Sequence, residues 1–163
     1  LGGGQLARMM VLAGHPLGFK FNVLDPDPEA PAAQVGAEHL PCSFTDKNAL
    51  GKLTKQCDLV SYEFENVDAD SVEWMEQRVD LPQGSQMLRT AQHRIREKRA
   101  IRDLGIEVTG FHEVQNLKQL EQAFEAFGTV LLKTVTGGYD GKGQQRILKK
   151  SECKSAFESL NHE

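Results

Sequence analysis

The sequence predicts an α/β protein in two parts: a parallel sheet flanked by helices, then a smaller α+β unit built around a glycine-rich hairpin. Three observations carry this. Strand-length apolar runs alternate with segments of helical period, the order expected of a parallel sheet with helices on its faces. A glycine turn, Gly2-Gly3-Gly4, stands directly before the first helical segment. A second glycine cluster, Gly137, Gly138, Gly141 and Gly143, lies between two further strand-like runs.

Taken in order, Leu6, Met9, Met10 and Ala13 recur at helical spacing after the first turn, with Gly14 as a C-terminal cap. Phe19 to Leu24 reads as a buried strand, broken by Asp25-Pro26-Asp27-Pro28, and Pro31 can open a short helix. Thr45 or Ser43 can cap a helix carrying Leu50 and Leu53. Leu59 to Phe64 is the next strand, and Asp70 or Ser71 opens a helix with Val72, Met75 and Val79 on one face. The pattern changes after Leu81-Pro82-Gln83-Gly84, so the domain boundary is placed between Pro82 and Thr90, giving parts 1–85 and 86–163. Arg89 to Leu104 reads as one long basic helix ended by Gly105, followed by an extended piece from Ile106 to Val114. Asn116 caps a helix with Leu117, Leu120, Phe124 and Phe127 on one face, and Gly128 ends it. Thr129 to Val135 and Gln145 to Leu148 are strands around the glycine loop, and Ser151 starts a last helix through Phe157 and Leu160.

Composition excludes several classes. The 163 residues suffice to bury a core, and the apolar and charged fractions, 39% and 26%, are ordinary for a globular protein. A net charge of -4 gives no reason to expect nucleic acid or an anionic membrane as partner. No apolar run approaches the ~20 residues of a membrane helix. No basic segment followed by an apolar one suggests a signal peptide. Cys42, Cys57 and Cys153 are odd in number and form no C-x-x-C pair. Buried or partly buried thiols in a reducing cytoplasm are therefore expected, without disulfides or zinc. Both ends read as cut: the opening turn lacks the strand that normally precedes it, and Asn161-His162-Glu163 follows a helical pattern with no stop signal.

Gly2-Gly3-Gly4-Gln5-Leu6-Ala7 fits G-x-G-x-x-A, with Asp25 at the end of the second strand. Glycines let the backbone approach a ligand closely, and the following helix N-terminus favours an anion. A dinucleotide fold puts its ribose-binding acid where Asp25 stands. A tight strand-to-helix turn uses the same glycines without any ligand, and an aspartate among prolines also forms turns. Both readings stay open on this motif.

The stretch from Lys133 to Gln144 is more specific. Backbone N–H groups of such a hairpin tip can cradle phosphate oxygens. Lys133, near the end of the incoming strand, supplies a fixed cation, and Lys142, at the tip, one that arrives when the loop closes. Closure would exclude water from an easily hydrolysed intermediate. The Walker A pattern G-x-x-x-x-G-K-[ST] is missing, and no helix follows directly. The basic run Arg89, Arg94, Arg96, Lys98, Arg99 and Arg102 includes Glu97 and lacks interleaved aromatics, so it reads as a solvated helix face with one or two members turned to an anionic ligand.

Two segments together resemble a known family. Gln92-His93-Arg94-Ile95-Arg96-Glu97-Lys98 followed by Leu104-Gly105-Ile106 is similar to the pattern Q-D-R-x-x-x-K … L-G-I. Gly137-Gly138-Tyr139-Asp140-Gly141-Lys142-Gly143-Gln144 is similar to G-G-Y-D-G-[RK]-G-Q. They follow the glycine turn and Tyr62-Glu63-Phe64-Glu65-Asn66-Val67 in the family's order. The family is 5-(carboxyamino)imidazole ribonucleotide synthase, in the ATP-grasp superfamily, and the resemblance covers nearly the whole chain. It implies an N-terminal Rossmann-like, pre-ATP-grasp domain followed by the beginning of an ATP-grasp α+β domain whose small lid subdomain starts near Asn116.

The resemblance also implies a ligase reaction of de novo purine biosynthesis. ATP phosphorylates bicarbonate to carboxyphosphate, and the exocyclic amine of aminoimidazole ribonucleotide is carboxylated, leaving ADP and phosphate. By resemblance, Arg94 and Lys133 contact ATP, and Gly138, Tyr139, Asp140, Gly141, Lys142, Gly143 and Gln144 fold over the nucleotide. Tyr139, Asp140 and Lys142 also face the ribonucleotide or the bicarbonate. Gly3, Gly4 and Gln5 lie near the ribonucleotide, with Glu63 and Glu65 nearby. ATP and Mg2+ are the implied cofactors, with the metal-binding acids and the adenine hinge beyond Glu163, so residues 1–163 alone are expected to be inactive. No nucleic acid or membrane partner is implied, and members of the family are often homodimers. Two departures stand out: His93 replaces the family's usual Asp, and Ala7 replaces the third glycine.

Three rival readings follow from the same residues. A nicotinamide or flavin oxidoreductase domain explains the first turn and Asp25 but not Lys133 to Gln144. Another ATP-grasp carboxylase or ligase explains the second loop, although Tyr139-Asp140 favours the synthase. A non-catalytic nucleotide-binding module needs a parent chain without the C-terminal carboxylates.

Overall fold

In the computed structural model, residues 1–138 and 141–160 are described. The chain forms two compact units, Leu1–Arg89 and Thr90–Glu163.

The first unit is built on a short parallel sheet. Strand β1 (Asn22–Leu24) pairs in parallel with β2 (Glu38–Leu40), with Leu24 opposite Leu40. The pairing continues beyond β1: Gly2 donates to the Leu24 carbonyl at 3.0 Å, and Glu63 donates to the Leu1 carbonyl at 3.1 Å. A parallel bridge joins Leu59 to Asp80. The predicted strand from Leu59 to Phe64 is thus an extended segment held by single bridges, and the predicted strand from Phe19 is shorter, since Phe19 is exposed. Successive side chains of a strand point to opposite faces. Val23 accordingly packs with Ala7, Val11, Ala32 and Ala37 on one face. Leu24 packs with Leu50, Leu53, Val60, Val72 and Met75 on the other. Helix α1 (Gln5–Gly14) covers the first face, and α2 (Lys47–Gln56) and α3 (Ala69–Glu76) supply the second.

Two details differ from the sequence-based expectation. In α1 the buried residues are Ala7, Val11 and Gly14, while Leu6, Met9 and Met10 are exposed. A helix pressed this close to the sheet admits only small side chains at the contact. The caps also shift. Asp46 caps α2, accepting from Asn48 and Ala49, and Asp68 caps α3, accepting from Ser71. Ser43 and Thr45 bond each other instead, at 3.0 Å. Helix α4 (Gln86–Ala91) begins at the end of this unit, where Arg89 bonds Asp70 at 2.6 Å and also Glu73.

Ser71 is 1% exposed, and its hydroxyl has no hydrogen-bond partner among the described residues. An unsatisfied buried hydroxyl costs about 1–3 kcal/mol. Ser71→Ala keeps the backbone bond to Asp68 and is expected to raise stability by about 1 kcal/mol, read as a higher urea midpoint; a lower midpoint would mean the hydroxyl has a partner.

The second unit holds α5 (Arg94–Asp103), a stretch without regular secondary structure over 106–114, α6 (Leu117–Phe127), the antiparallel hairpin β3 (Val130–Lys133) and β4 (Gln144–Ile147), and α7 (Cys153–Leu160). Asn116 caps α6, accepting from Gln119, and Gly128 ends it. Leu120, Ile147, Cys153 and Ala156 form its core, with Phe124 and Leu132 packed around them. Burial pushes the Cys153 thiol above its ordinary range. Glu152 accepts from the Leu148 and Lys149 amides, which hold its carboxyl below the ordinary value.

The single basic helix expected from Arg89 to Leu104 is two helices. The break falls at Gln92 and His93, where His93 is extended and caps α5 by accepting from the Arg96 amide at 3.4 Å. That is a long bond from a weak cap. Aspartate at an N-cap is shorter, charged and favoured by the helix dipole. His93→Asp would exchange this weak cap for a stronger one and is expected to stabilise the second unit by about 0.5–1 kcal/mol. A calorimetric melt with no upward shift would rule this out.

Candidate functional site

In the first unit the glycine turn is held by the chain's own carboxylates. Gly3 donates to Asp25 Oδ2 at 2.7 Å. The two oxygens of Glu63 accept from Gly4 and Ala7, each at 2.7 Å. Asp25 also accepts from Asp27 at 2.8 Å, which fixes the turn after β1. Glu63 thus sits at the α1 N-terminus, where backbone amides and the helix dipole favour an anion. The structure brings together Gly3, Gly4, Asp25 and Glu63. Gln5 opens α1, and Glu65 is exposed at the end of the segment that carries Glu63. The amides of Gln5 and Leu6 make no hydrogen bond with the described residues.

The second unit contains a cavity of about 550 Å³. Arg94, Lys98 and Lys133 line it, together with His112 and the carboxylate of Glu113. Phe111, Leu120 and Leu132 contribute an apolar wall. Helix α5 brings Arg94 and Lys98 to one side, four residues apart and so on one face. The β3–β4 ladder fixes Lys133 opposite Gln144. Lys98 was left on the solvated face by sequence reasoning; the i, i+4 spacing from Arg94 is the signal that could have found it.

The glycine loop joins β3 to β4. Its two arms are pinned near the base: Thr134 donates its amide to the Gly143 carbonyl at 2.9 Å and its hydroxyl to the same oxygen at 3.4 Å. Arg94 bonds the incoming arm, Nε to the Thr134 carbonyl at 2.9 Å and Nη2 to those of Gly137 and Gly138 at 3.0 and 3.1 Å. Gly138, Gly141 and Lys142 are exposed and Gly143 is buried in the neck. Lys142 does not line the cavity. Tyr139 and Asp140 lie outside the described residues. Among the described residues no group of three or more His, Cys, Asp or Glu could hold a metal ion.

A parallel-sheet unit with a glycine turn, followed by a unit with a cation-lined cavity and a glycine hairpin, defines a pre-ATP-grasp domain and the start of an ATP-grasp domain. The family model for the ribonucleotide synthetase preATP-grasp domain matches residues 1–92, and that for the ATP-grasp domain matches residues 99–163. The N5-carboxyaminoimidazole ribonucleotide synthase of Bacillus subtilis is 38% identical over 99% of this chain and 43% of its own length. That of Pseudomonas aeruginosa is 43% identical over 98% of this chain and 44% of its own. A crystal structure of the Aspergillus clavatus enzyme in complex with ADP and 5-aminoimidazole ribonucleotide aligns with a TM-score of 0.84 at 32% identity, covering 98% of this chain and 42% of that one. The chain belongs to the ribonucleotide synthetase preATP-grasp family, continued by an ATP-grasp domain, and along nearly its whole length it is similar to N5-carboxyaminoimidazole ribonucleotide synthases. It spans a little under half the length of these relatives.

Proposed function

We propose that the full-length protein carboxylates the exocyclic amine of 5-aminoimidazole ribonucleotide with bicarbonate in de novo purine biosynthesis, using ATP and releasing ADP and phosphate by way of carboxyphosphate. The observation that carries this is the cavity lined by Arg94, Lys98 and Lys133 beside the glycine hairpin, in a chain of this family. Three cations suit a polyphosphate, and the wall of Phe111, Leu120 and Leu132 suits a purine. Phosphoryl transfer needs positioned cations and donors more than a side-chain nucleophile.

On this reading Arg94 and Lys133 hold the ATP phosphates, and Gly138 to Gln144 cover the nucleotide. Tyr139, Asp140 and Lys142 also meet the ribonucleotide or the bicarbonate. Magnesium would supply further neutralisation of the phosphates from ligands outside residues 1–163. In the first unit, Gly3, Gly4, Gln5, Glu63 and Glu65 would meet the ribonucleotide. Because the Gly3 and Gly4 amides are already bonded to Asp25 and Glu63, contact there runs through the Glu63 and Glu65 carboxylates and the amide of Gln5. The same filled amides disfavour a dinucleotide pyrophosphate at this turn. The reading includes a homodimer in the cytoplasm; sedimentation of the purified full-length protein tests the dimer.

The test is ADP release by the full-length protein with ATP and magnesium, adding the ribonucleotide and bicarbonate separately and together. Strong stimulation by the ribonucleotide, with carboxylated product only when bicarbonate is present, is expected. A folded, ATP-binding protein that the ribonucleotide does not stimulate would move the reaction to another acceptor.

A further inference from the structure

Arg94 stands at the first position of α5 and directs four hydrogen bonds at one short stretch. Its amide donates to the Val135 carbonyl at 2.9 Å. Its guanidinium donates to the carbonyls of Thr134, Gly137 and Gly138 at 2.9, 3.0 and 3.1 Å. These carbonyls form the incoming arm of the glycine loop, at the neck where Thr134 holds the Gly143 carbonyl of the returning arm. The neck is tightly packed. A Cβ on Gly143 would stand 2.7 Å from Thr134 Oγ1 and 3.1 Å from Gly138 Cα. A Cβ on Gly138 would stand 2.8 Å from the Lys142 carbonyl and 3.1 Å from Arg94 Nη2. The same arginine lines the cavity. One planar guanidinium, with donors in a fixed fork, therefore touches both the place where phosphates would sit and the neck of the loop.

We propose that Arg94 is a positioning residue for the glycine loop, setting the loop's base through its guanidinium fork and thereby coupling occupancy of the cavity by a nucleoside polyphosphate to the loop's position. This rests on the reading that the cavity takes a nucleotide. Among the described residues the guanidinium bonds the loop through Nε and Nη2, and a phosphate in the cavity would meet the same guanidinium. An anion arriving there shares its charge with the atoms that fix the loop. A lysine keeps the positive charge but not the fork, so it can attract phosphate without holding the three carbonyls.

The experiment compares full-length wild type, Arg94→Lys, Arg94→Ala and, as a control on the same helix, the exposed Arg96→Lys. Three readouts are taken: ADP affinity by calorimetry, the steady-state kcat and KM for ATP, and the rate of tryptic cleavage after Lys142 with and without ADP. A melt of each variant confirms folding. In Arg94→Lys, cleavage after Lys142 is expected to be at least tenfold faster and to lose its protection by ADP. Its kcat is expected to fall tenfold or more, while ADP affinity stays within about threefold and Arg96→Lys matches wild type. A folded Arg94→Lys with wild-type cleavage and ADP protection would overturn the positioning role and leave Arg94 a simple charge contact. Failure of wild type to bind ADP at all would instead overturn the nucleotide reading, a result distinct from the first.

Discussion

Gly3→Ala is expected to lower the stability of the first unit by about 2–3 kcal/mol. An added Cβ would lie 2.8 Å from Ala30 Cβ, 2.9 Å from Val23 Cγ1 and 3.1 Å from Asp25 Cβ. None of these is the free end of a flexible side chain, and Ala30 and Val23 are 0% and 5% exposed. Relief would require moving the turn away from β1. That motion works against the Gly3 bond to Asp25 at 2.7 Å and the bond from the Ala32 amide to the Gly3 carbonyl at 2.9 Å. Gly18→Ala is the control: its φ is +87° with nothing within 4 Å of the added carbon. Only backbone strain of about 1 kcal/mol is expected there. Urea unfolding of both variants checks the difference. Equal losses would show that close packing at Gly3 is not what demands glycine, and would return the turn's glycines to a ligand-based explanation.

Several features were legible because they are local. The glycine turn before α1, Asn116 as the α6 cap and the hairpin around the second glycine cluster all follow from residues within a few positions of one another. What was not legible depends on partners far along the chain. Glu63 reaches Gly4 across 59 positions and Asp25 reaches Gly3 across 22. No spacing rule announces that these carboxylates fill the anion-favouring amides. The face of α1 was misread because the helix is apolar nearly all round, so period alone does not choose a side. Contact distance chooses it: Ala7, Val11 and Gly14 fit against the sheet, while Leu6, Met9 and Met10 are too large. The break before α5 is likewise tertiary. Gln92 and His93 tolerate a helix, but the Arg94 amide is drawn to the Val135 carbonyl, 2.9 Å away in the hairpin. The cations of the site were legible by type, and Lys98 joined them only when α5 had a defined start.

Lys133→Ala in the full-length protein is expected to reduce kcat/KM for ATP by about 100- to 1000-fold, equivalent to roughly 3–4 kcal/mol of transition-state stabilisation. Lys133 is the last residue of β3, held opposite Gln144 by the hairpin ladder, and it lines the cavity with Arg94 and Lys98. The ladder fixes its backbone, and its exposed side chain carries the ammonium beside the cavity. Lys142 differs in kind: it is exposed on the loop and outside the cavity's lining. Removing it is expected to lower kcat while leaving ADP affinity within about threefold, because on the proposed reading it acts only when the loop is over the nucleotide. Lys133→Ala should lose in both. Calorimetric titration with ADP separates the two roles before any turnover is measured. If Lys133→Ala binds ADP as tightly as wild type while still folding normally, Lys133 does not hold the phosphates. If Lys142→Ala loses ADP affinity as steeply as Lys133→Ala, the loop already contributes its cation to nucleotide binding, and the two lysines act together.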